Sequence, residues 1–201
     1  MDGFILTHAY ERVDMPEQAQ VDSFLPPYEP RQVLDPAEPI TIGAMVGPEA
    51  FTEVRYLAHA KQMQALELIP QIAAEFKAEF QRDSGGLIKT YLLGDADTIV
   101  IALGSVLGTI KDTVDDLRST GEKIGVLGIT SFRPFPIEAI RSATQNAKRI
   151  VVVEKCLAVG IGGIVSRDVR SAVQNRPQPV LCVVAGLGGR AITKASLSKM
   201  L

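Results

Sequence analysis

The chain has 201 residues, a formal net charge of −2, and 46% hydrophobic and 22% charged residues. These values are typical of one globular domain with a sizeable extra segment. They give no electrostatic reason to expect binding to nucleic acid or to an anionic membrane. No apolar run approaches the ~20 residues that span a bilayer, and the N-terminal residues lack the features of a signal peptide. We therefore expect a cytoplasmic protein with no membrane segment.

The two cysteines, Cys156 and Cys182, are far apart in the sequence and form no CxxC pattern. Both lie in or beside apolar, strand-like stretches, so we interpret them as small buried hydrophobes. An iron–sulfur cluster usually takes four thiolates, and this chain cannot supply four. The sequence therefore predicts no cluster bound by this chain alone.

The first 48 residues combine prolines with apolar side chains. Seven of the twelve prolines precede residue 50, and proline fixes φ and removes a backbone donor. The stretch is therefore predicted to be extended, with no regular helix and no central strand. Its apolar residues need a surface to lie on, which either this chain or a partner could provide.

Residues 49–85 show helical periodicity. Phe51, Val54 and Ala58 are three and four residues apart, and Phe76 continues a similar pattern further on. Because Pro70 lies inside this run, we expect the helix to be kinked or divided near it.

From residue 86 onward, strand and helix patterns alternate, which predicts an α/β domain over residues 86–201. Five apolar stretches are strand candidates, and the first two are joined too closely for a crossover helix. One of these two is therefore predicted to run antiparallel to an otherwise parallel sheet covered on both faces. The candidates are residues 87–93, 98–103, 123–129, 149–153 and 179–185.

Two glycine loops follow strands, and their glycines and a nearby arginine are candidate coenzyme or subunit-junction residues. Such loops can present backbone N–H groups to a phosphate, but neither has the surroundings of a dinucleotide site. The alternative is that these glycines only allow tight turns and close packing. The candidates are Gly160, Gly162, Gly163, Gly188, Gly189 and Arg190.

Arg133 also follows a strand and joins these candidates, because ligands of parallel sheets bind beyond the carboxyl ends of strands. Its alternative role is an ion pair or a carbonyl contact at a helix end. Glu154 and Lys155 are adjacent, so we do not interpret them as an acid–base pair.

Three further features could in principle mark sites. Gly94-Asp95-Ala96 is similar to the start of a thiamine diphosphate motif but lacks its asparagines, so we interpret it as a turn. His59 lies within the predicted helix and is assigned to surface or packing. His8 has no triad or metal-site pattern around it, although a functional role is left open.

Several segments together resemble the C-terminal half of the α subunit of pyruvate:ferredoxin oxidoreductase, or of a related 2-oxoacid enzyme. The most specific are RPFP (Arg133–Pro136) and GLGGR (Gly186–Arg190), and DGFILTHAYERVDMP and VDSFLPPYEP add to them near the start. The resemblance covers essentially the whole chain. It implies that residues 86–201 form a transketolase C-terminal-like domain: a three-layer, mostly parallel, five-stranded sheet with one antiparallel edge strand.

The resemblance also implies a function. Family enzymes decarboxylate a 2-oxoacid oxidatively, form acyl-coenzyme A and pass electrons to ferredoxin, using thiamine diphosphate, Mg and [4Fe-4S] clusters. Residues 1–48 would be a connector from an N-terminal thiamine-binding domain that this chain lacks, and residues 49–85 would be linking helices. No catalytic residue of the family can then be assigned here, whether the chain is a fragment or a subunit divided between genes.

Three hypotheses follow. The first is an assembly part of the α subunit, inactive alone, with the N-terminal α domain, the β, γ and δ subunits and ferredoxin as partners. The second is a stand-alone coenzyme A or nucleotide-binding module that uses the glycine loops. The third is a purely structural domain that forms a homodimer.

Overall fold

The computed structural model describes residues 6–43 and 45–201, which form two compact units. One unit consists of residues 12–84, and the other of residues 6–11 and 85–201. Of the connector predicted over residues 1–48, residues 1–5 and 44 lie outside the described residues. Among the described helices, none is long and apolar enough to cross a membrane.

The proline-rich part of the first unit is mainly irregular, but it contains one short helix, α1 (Gln18–Phe24). The sequence predicted no regular helix here. The helix fits because it occupies an interval without proline, between Pro16 and Pro26.

The long helix α2 (Phe51–Phe80) continues through Pro70, so the predicted division at that residue does not occur. Three aromatic rings hold α1 against it: the Phe24 ring centroid lies 5.9 Å from that of Phe76 and 5.3 Å from that of Phe80. None of the α2 side chains described is fully buried. A helix of 30 residues that carries apolar side chains and fully buries none of them leaves a large surface for other chains.

The second unit contains a five-stranded sheet with the order β1-β3-β2-β4-β5. All neighbouring strands are parallel except β1, which pairs antiparallel with β3. This confirms the predicted mostly parallel sheet with one antiparallel edge strand. The strands are β1 (Ile88–Tyr91), β2 (Thr98–Ala102), β3 (Ile124–Ile129), β4 (Arg149–Glu154) and β5 (Val180–Val184).

The short connection between β1 and β2 does not place them side by side, because β3 lies between them. A short turn (Ala96 N–H to Leu93 O, 3.2 Å) carries the chain past this position. The close connection predicted that one of these two strands runs antiparallel to the rest, and the antiparallel strand is β1.

Helices cover both faces of the sheet, and alternate strand residues form two hydrophobic cores. Ile99 and Ile101 of β2 belong to one core, whereas Val100 belongs to the other. Every residue of β2 and β3 is buried, as expected for central strands covered on both sides. The helices are α3 (Val106–Ser119), α4 (Ile137–Ala143), α5 (Val165–Ala172) and α6 (Lys194–Met200).

Gly125 of β3 lies where the end of β1 approaches closely. A Cβ atom at this position would be 2.6 Å from the Leu92 carbonyl oxygen and 2.7 Å from Leu93 Cδ2. A backbone atom cannot move aside as the tip of a side chain can, so this contact requires glycine.

We expect Gly125→Ala to lower the free energy of unfolding by about 1–3 kcal/mol, the usual cost of overpacking. Gly108→Ala is the control, because Gly108 lies inside α3 and a Cβ atom added there would meet no neighbouring part of the fold within 4 Å. That variant should be unchanged or more stable by up to about 1 kcal/mol. Urea unfolding followed by circular dichroism measures both, and equal stability of the two variants would contradict the packing described.

Candidate functional site

A cavity of about 430 Å³ lies at the carboxyl ends of β2 and β4. From β2 the chain crosses to β3 on one side, and from β4 it crosses to β5 on the other. The connections thus diverge between these two strands, and such a point is where open α/β sheets bind ligands. The cavity walls are mostly apolar and include Val106, Val153, Val165 and Ile192.

The carboxylate of Glu154 closes one side of this region. Glu154 ends β4 and is 5% exposed. Its Oε2 accepts hydrogen bonds from the backbone N–H groups of Ile164 and Val165 (both 2.8 Å), and its Oε1 accepts one from Ser166 (3.0 Å). The side chain therefore caps the N-terminus of α5, where unpaired N–H groups and the helix dipole favour a negative charge.

Burial alone would raise the pKa of Glu154, because it disfavours the charged form. The hydrogen bonds from the Ser166, Val165 and Ile164 amides outweigh that effect, so the pKa lies below its usual value. Glu154 is therefore a charged structural group at neutral pH.

Gly163, one of the predicted site residues, makes room for this carboxylate. A Cβ atom there would collide with the Glu154 carboxylate and lie 2.7 Å from the Cys182 sulfur. The amides that a glycine loop would offer to a phosphate at α5 are bonded to Glu154 instead. The geometry thus accounts for Gly163 through packing.

Gly160 and Gly162 lie in a tight hairpin between β4 and α5. The Ala158 and Gly162 backbones exchange two hydrogen bonds (2.9 and 2.8 Å), and Gly160 has φ +83°. Glycine at the third position of such a turn is typical of type II geometry. Val159, at the tip, is 94% exposed.

The second glycine loop forms a short 3₁₀ turn after β5. Gly188 and Gly189 both have positive φ, and the amides of Gly189 and Arg190 bond to carbonyls within the turn (both 3.3 Å). Arg190 is exposed, and Ile192 just after it lines the cavity.

Arg133 lies in the loop after β3, and its guanidinium forms both an ion pair and a hydrogen bond to a backbone carbonyl. Its Nη2 donates to Asp168 Oδ2 (2.8 Å) and its Nη1 to the Phe132 carbonyl oxygen (2.7 Å). The guanidinium also stacks on the Phe132 ring, 4.0 Å from its centroid. These contacts hold the half-exposed side chain against Asp168 and the Phe132 ring.

The other candidates occupy separate places. Cys156 is exposed beside the cavity, so its prediction as a buried residue is wrong: it lies beyond the end of β4, where the sheet no longer covers it. Asp95 accepts two hydrogen bonds from Arg118 (2.6 and 2.8 Å), and these lower its pKa. His8 and His59 are exposed.

The described residues contain no group of three or more His, Cys, Asp or Glu side chains that could hold a metal ion. Glu154 is the buried carboxylate of the region, and its hydrogen bonds assign it to the α5 cap. What the described arrangement offers is therefore an apolar cavity next to an exposed apolar loop.

Sequence reasoning missed the cap and the apolar loop. A signal for the cap was present, since an acidic residue directly follows the predicted strand 149–153 and precedes the first glycine loop. The signal for the loop was the alternation of Leu157, Val159 and Ile161 between small residues.

Comparison with protein families decides the assignment. Residues 96–197 match the family described as "Pyruvate:ferredoxin oxidoreductase core domain II", which is half of the chain. The chain belongs to the pyruvate:ferredoxin oxidoreductase family. Residues 1–74 match a second family description, "Pyruvate flavodoxin/ferredoxin oxidoreductase, thiamine diP-bdg".

Curated relatives of this chain are subunits of pyruvate synthase and of ketoisovalerate oxidoreductase. The chain is 45% identical to pyruvate synthase subunit PorA of Methanosarcina barkeri, across 100% of this chain and 51% of that protein. It is 38% identical to PorA of Methanothermobacter thermautotrophicus, with the same coverage. Ketoisovalerate oxidoreductase subunit VorA of Pyrococcus horikoshii is 37% identical over 95% of this chain and 49% of its own length. The chain thus spans about half the length of these relatives.

Two solved structures are similar to parts of this chain, each at 19% sequence identity and a TM-score of 0.44. One is 2-oxoglutarate:ferredoxin oxidoreductase from Magnetococcus marinus, matched over 63% of this chain and 20% of that one. The other is a split-gene transketolase, matched over 55% of this chain and 39% of that one.

We expect Glu154→Gln to lower the free energy of unfolding at pH 7 by about 1–3 kcal/mol, because one backbone amide of α5 loses its acceptor in a buried site. Since the pKa of Glu154 is lowered on folding, its stabilising effect is present above the unfolded-state pKa, about 4.3. It is lost as the pH falls through the folded-state pKa. The difference in free energy of unfolding between the variant and the parent protein should therefore become smaller below about pH 4.

Urea unfolding of both proteins between pH 7 and pH 3 measures this difference. Glu122→Gln is the control, because Glu122 is exposed, and it should follow the parent protein throughout. If the difference in free energy of unfolding between Glu154→Gln and the parent protein stays constant over this pH range, Glu154 is not a charged cap.

Proposed function

We propose that this chain is part of the α subunit of a thiamine diphosphate-dependent 2-oxoacid:ferredoxin oxidoreductase that works in the cytoplasm. The complete enzyme would decarboxylate a 2-oxoacid oxidatively, form acyl-coenzyme A and transfer the electrons to ferredoxin. The observation that carries this proposal is the 45% identity to a pyruvate synthase subunit over the full chain.

Within that enzyme, the chain serves assembly. Residues 1–48 would be the connector from the thiamine-binding domain, residues 49–85 the linking helices, and residues 86–201 the domain that contacts neighbouring subunits. Support comes from side chains that a finished assembly would cover. Tyr28 and Leu34 in the connector are 88% and 71% exposed, and Tyr56 and Leu57 of α2 are 68% and 62% exposed.

The cofactors of such an enzyme do not fit the donor groups described here. Mg is held by oxygen ligands that include carboxylates, and the described residues contain no group of three or more His, Cys, Asp or Glu side chains that could hold a metal ion. Two cysteines are too few for a [4Fe-4S] cluster. We therefore assign thiamine diphosphate, Mg and the clusters to the N-terminal α domain and to the β, γ and δ subunits.

Arg133, the loop glycines and Arg190 are proposed as subunit-junction residues. The apolar tip at Val159 and the packing role of Gly163 support a protein contact more than a coenzyme contact. Direct contact of these residues with coenzyme A stays a prediction.

The purified chain should not reduce a dye acceptor with pyruvate and coenzyme A. It should co-elute with the N-terminal α domain and the β, γ and δ subunits when these are co-expressed, and the assembled complex should then turn over. A coupled dye-reduction assay on size-exclusion fractions measures both properties. Turnover by the chain alone, or elution apart from every partner subunit, would show that the proposal is wrong.

A further inference from the structure

The outer edge of β5 (Val180–Val184) is a side of the sheet that has no neighbouring strand. β5 is the last strand in the sheet order and pairs with β4 on its inner side, and no other strand in the described part of the chain pairs with it. A free edge presents a row of backbone N–H and C=O groups, which bind another extended strand. The occupant that suits this edge is therefore a β-strand and not a small ligand.

The two edges of the sheet differ in how they are protected. The other edge strand, β1, carries Lys89 and Thr90 in exposed positions, and a lysine on an edge strand discourages pairing with another chain. β5 consists only of valine, leucine and cysteine, and none of its residues is fully buried. Leu181, for example, is 46% exposed. β5 is therefore the edge that is suited to pairing.

The hydrogen bonds to β4 show which residues of β5 face outward. Ile150 N–H donates to the Pro179 carbonyl oxygen, and Ala185 N–H donates to the Glu154 carbonyl oxygen (both 3.0 Å). Because the backbone groups of successive strand residues point to opposite sides, the odd-numbered residues of β5 face β4. The even-numbered residues face outward, and they are Val180, Cys182 and Val184.

The open part of this edge is short. Arg170 Nη2 donates to the Val180 carbonyl oxygen (3.1 Å), so that carbonyl already has a partner. Beyond Val184 the chain leaves the strand at Gly186, whose φ of +81° begins the following turn. The open segment therefore consists of residues 182–184.

We propose that β5 pairs antiparallel with β5 of a second copy of this chain, about a two-fold axis at Val183. Cys182 of each copy then lies opposite Val184 of the other, and each of these two pairs exchanges two N–H···O bonds. The open backbone groups of both residues are all used in this register. A register centred on Cys182 would need the Val180 carbonyl, which Arg170 already occupies.

A symmetric contact also suits the side chains of this strand. The residues that meet across it are apolar, so no like charges lie directly opposite each other. The two Arg170 side chains lie at opposite ends of the contact, about 20 Å apart, because each bonds three residues from the axis. The inference concerns this chain with a copy of itself, so it goes beyond the proposed function and does not depend on it.

Disulfide trapping on the purified full chain tests the register. In a background with Cys156→Ser and Cys182→Ala, Val183→Cys should give a disulfide-linked dimer on mild oxidation. The reason is that the two copies of residue 183 form a pair without ladder hydrogen bonds, with Cα atoms about 4.5 Å apart. Leu181→Cys is the matched control on the same face of the strand. Its two copies would lie about 14 Å apart, so it should stay unlinked although Leu181 is the more exposed residue.

A proline substitution tests the hydrogen bonds between the copies. Val184→Pro removes one outward N–H from each copy and leaves the bonds to β4 in place. We expect the dissociation constant of the dimer to rise by about tenfold or more, because two of the four bonds are lost. Light scattering over a concentration series measures it. Val184→Thr keeps the N–H and should dimerise as the parent protein does, and circular dichroism establishes that all variants are folded.

The outcomes are distinct from those that test the proposed function. A parent chain that stays monomeric throughout the series, an unlinked Val183→Cys, or equal linking at positions 181 and 183 would each overturn the inference. An unchanged dissociation constant for Val184→Pro would do the same. So would a disulfide from position 183 to another subunit when the subunits are co-expressed. All of these results leave the proposed function intact, whereas an oxidoreductase that fails to assemble or turn over refutes that function alone.

Discussion

The contact between the Glu154 carboxylate and the first amides of α5 organises the carboxyl edge of the sheet. A helix N-terminus after a glycine-containing loop is a ready site for an anion, and here the chain supplies that anion itself. Glu154 can reach the amides only because Gly163 has no side chain in the way. One buried carboxylate thus fixes where β4 ends, where α5 begins and how the loop between them leaves the sheet.

The loop between β4 and α5, next to this cap, carries exposed apolar side chains. With the α5 amides bonded to Glu154, the polar groups that would attract a phosphate are used internally, and Val159 at the tip is left in solvent. The cavity beside the loop is lined mainly by aliphatic side chains. In the other unit, α2 buries none of its described residues. Both units therefore present apolar surfaces suited to contact with other chains.

The sequence predicted the sheet well, because strands covered on both faces give continuous apolar runs that alternate with amphipathic helices. The predicted stretch over residues 98–103, for example, contains the fully buried β2. The position of β1 beside β3 was missed, since pairing across a sheet depends on packing that no local pattern records. The role of Glu154 was missed for a related reason: its partners lie ten to twelve residues away and become neighbours only when α5 folds back on the sheet. The exposure of Cys156 depended on where β4 ends, and strand ends are poorly marked in an apolar sequence.

Hydrogen–deuterium exchange tests most directly the claim that this chain is an assembly part whose carboxyl edge is covered by a partner. The measurement compares residues 155–164 and α2 in the isolated chain and in the assembled oxidoreductase. Slower exchange in both segments, with the central strands β2 and β3 unchanged, is the predicted result, because only the exposed surfaces gain a neighbour. Unchanged exchange of residues 155–164 in a complex that has formed would contradict the claim.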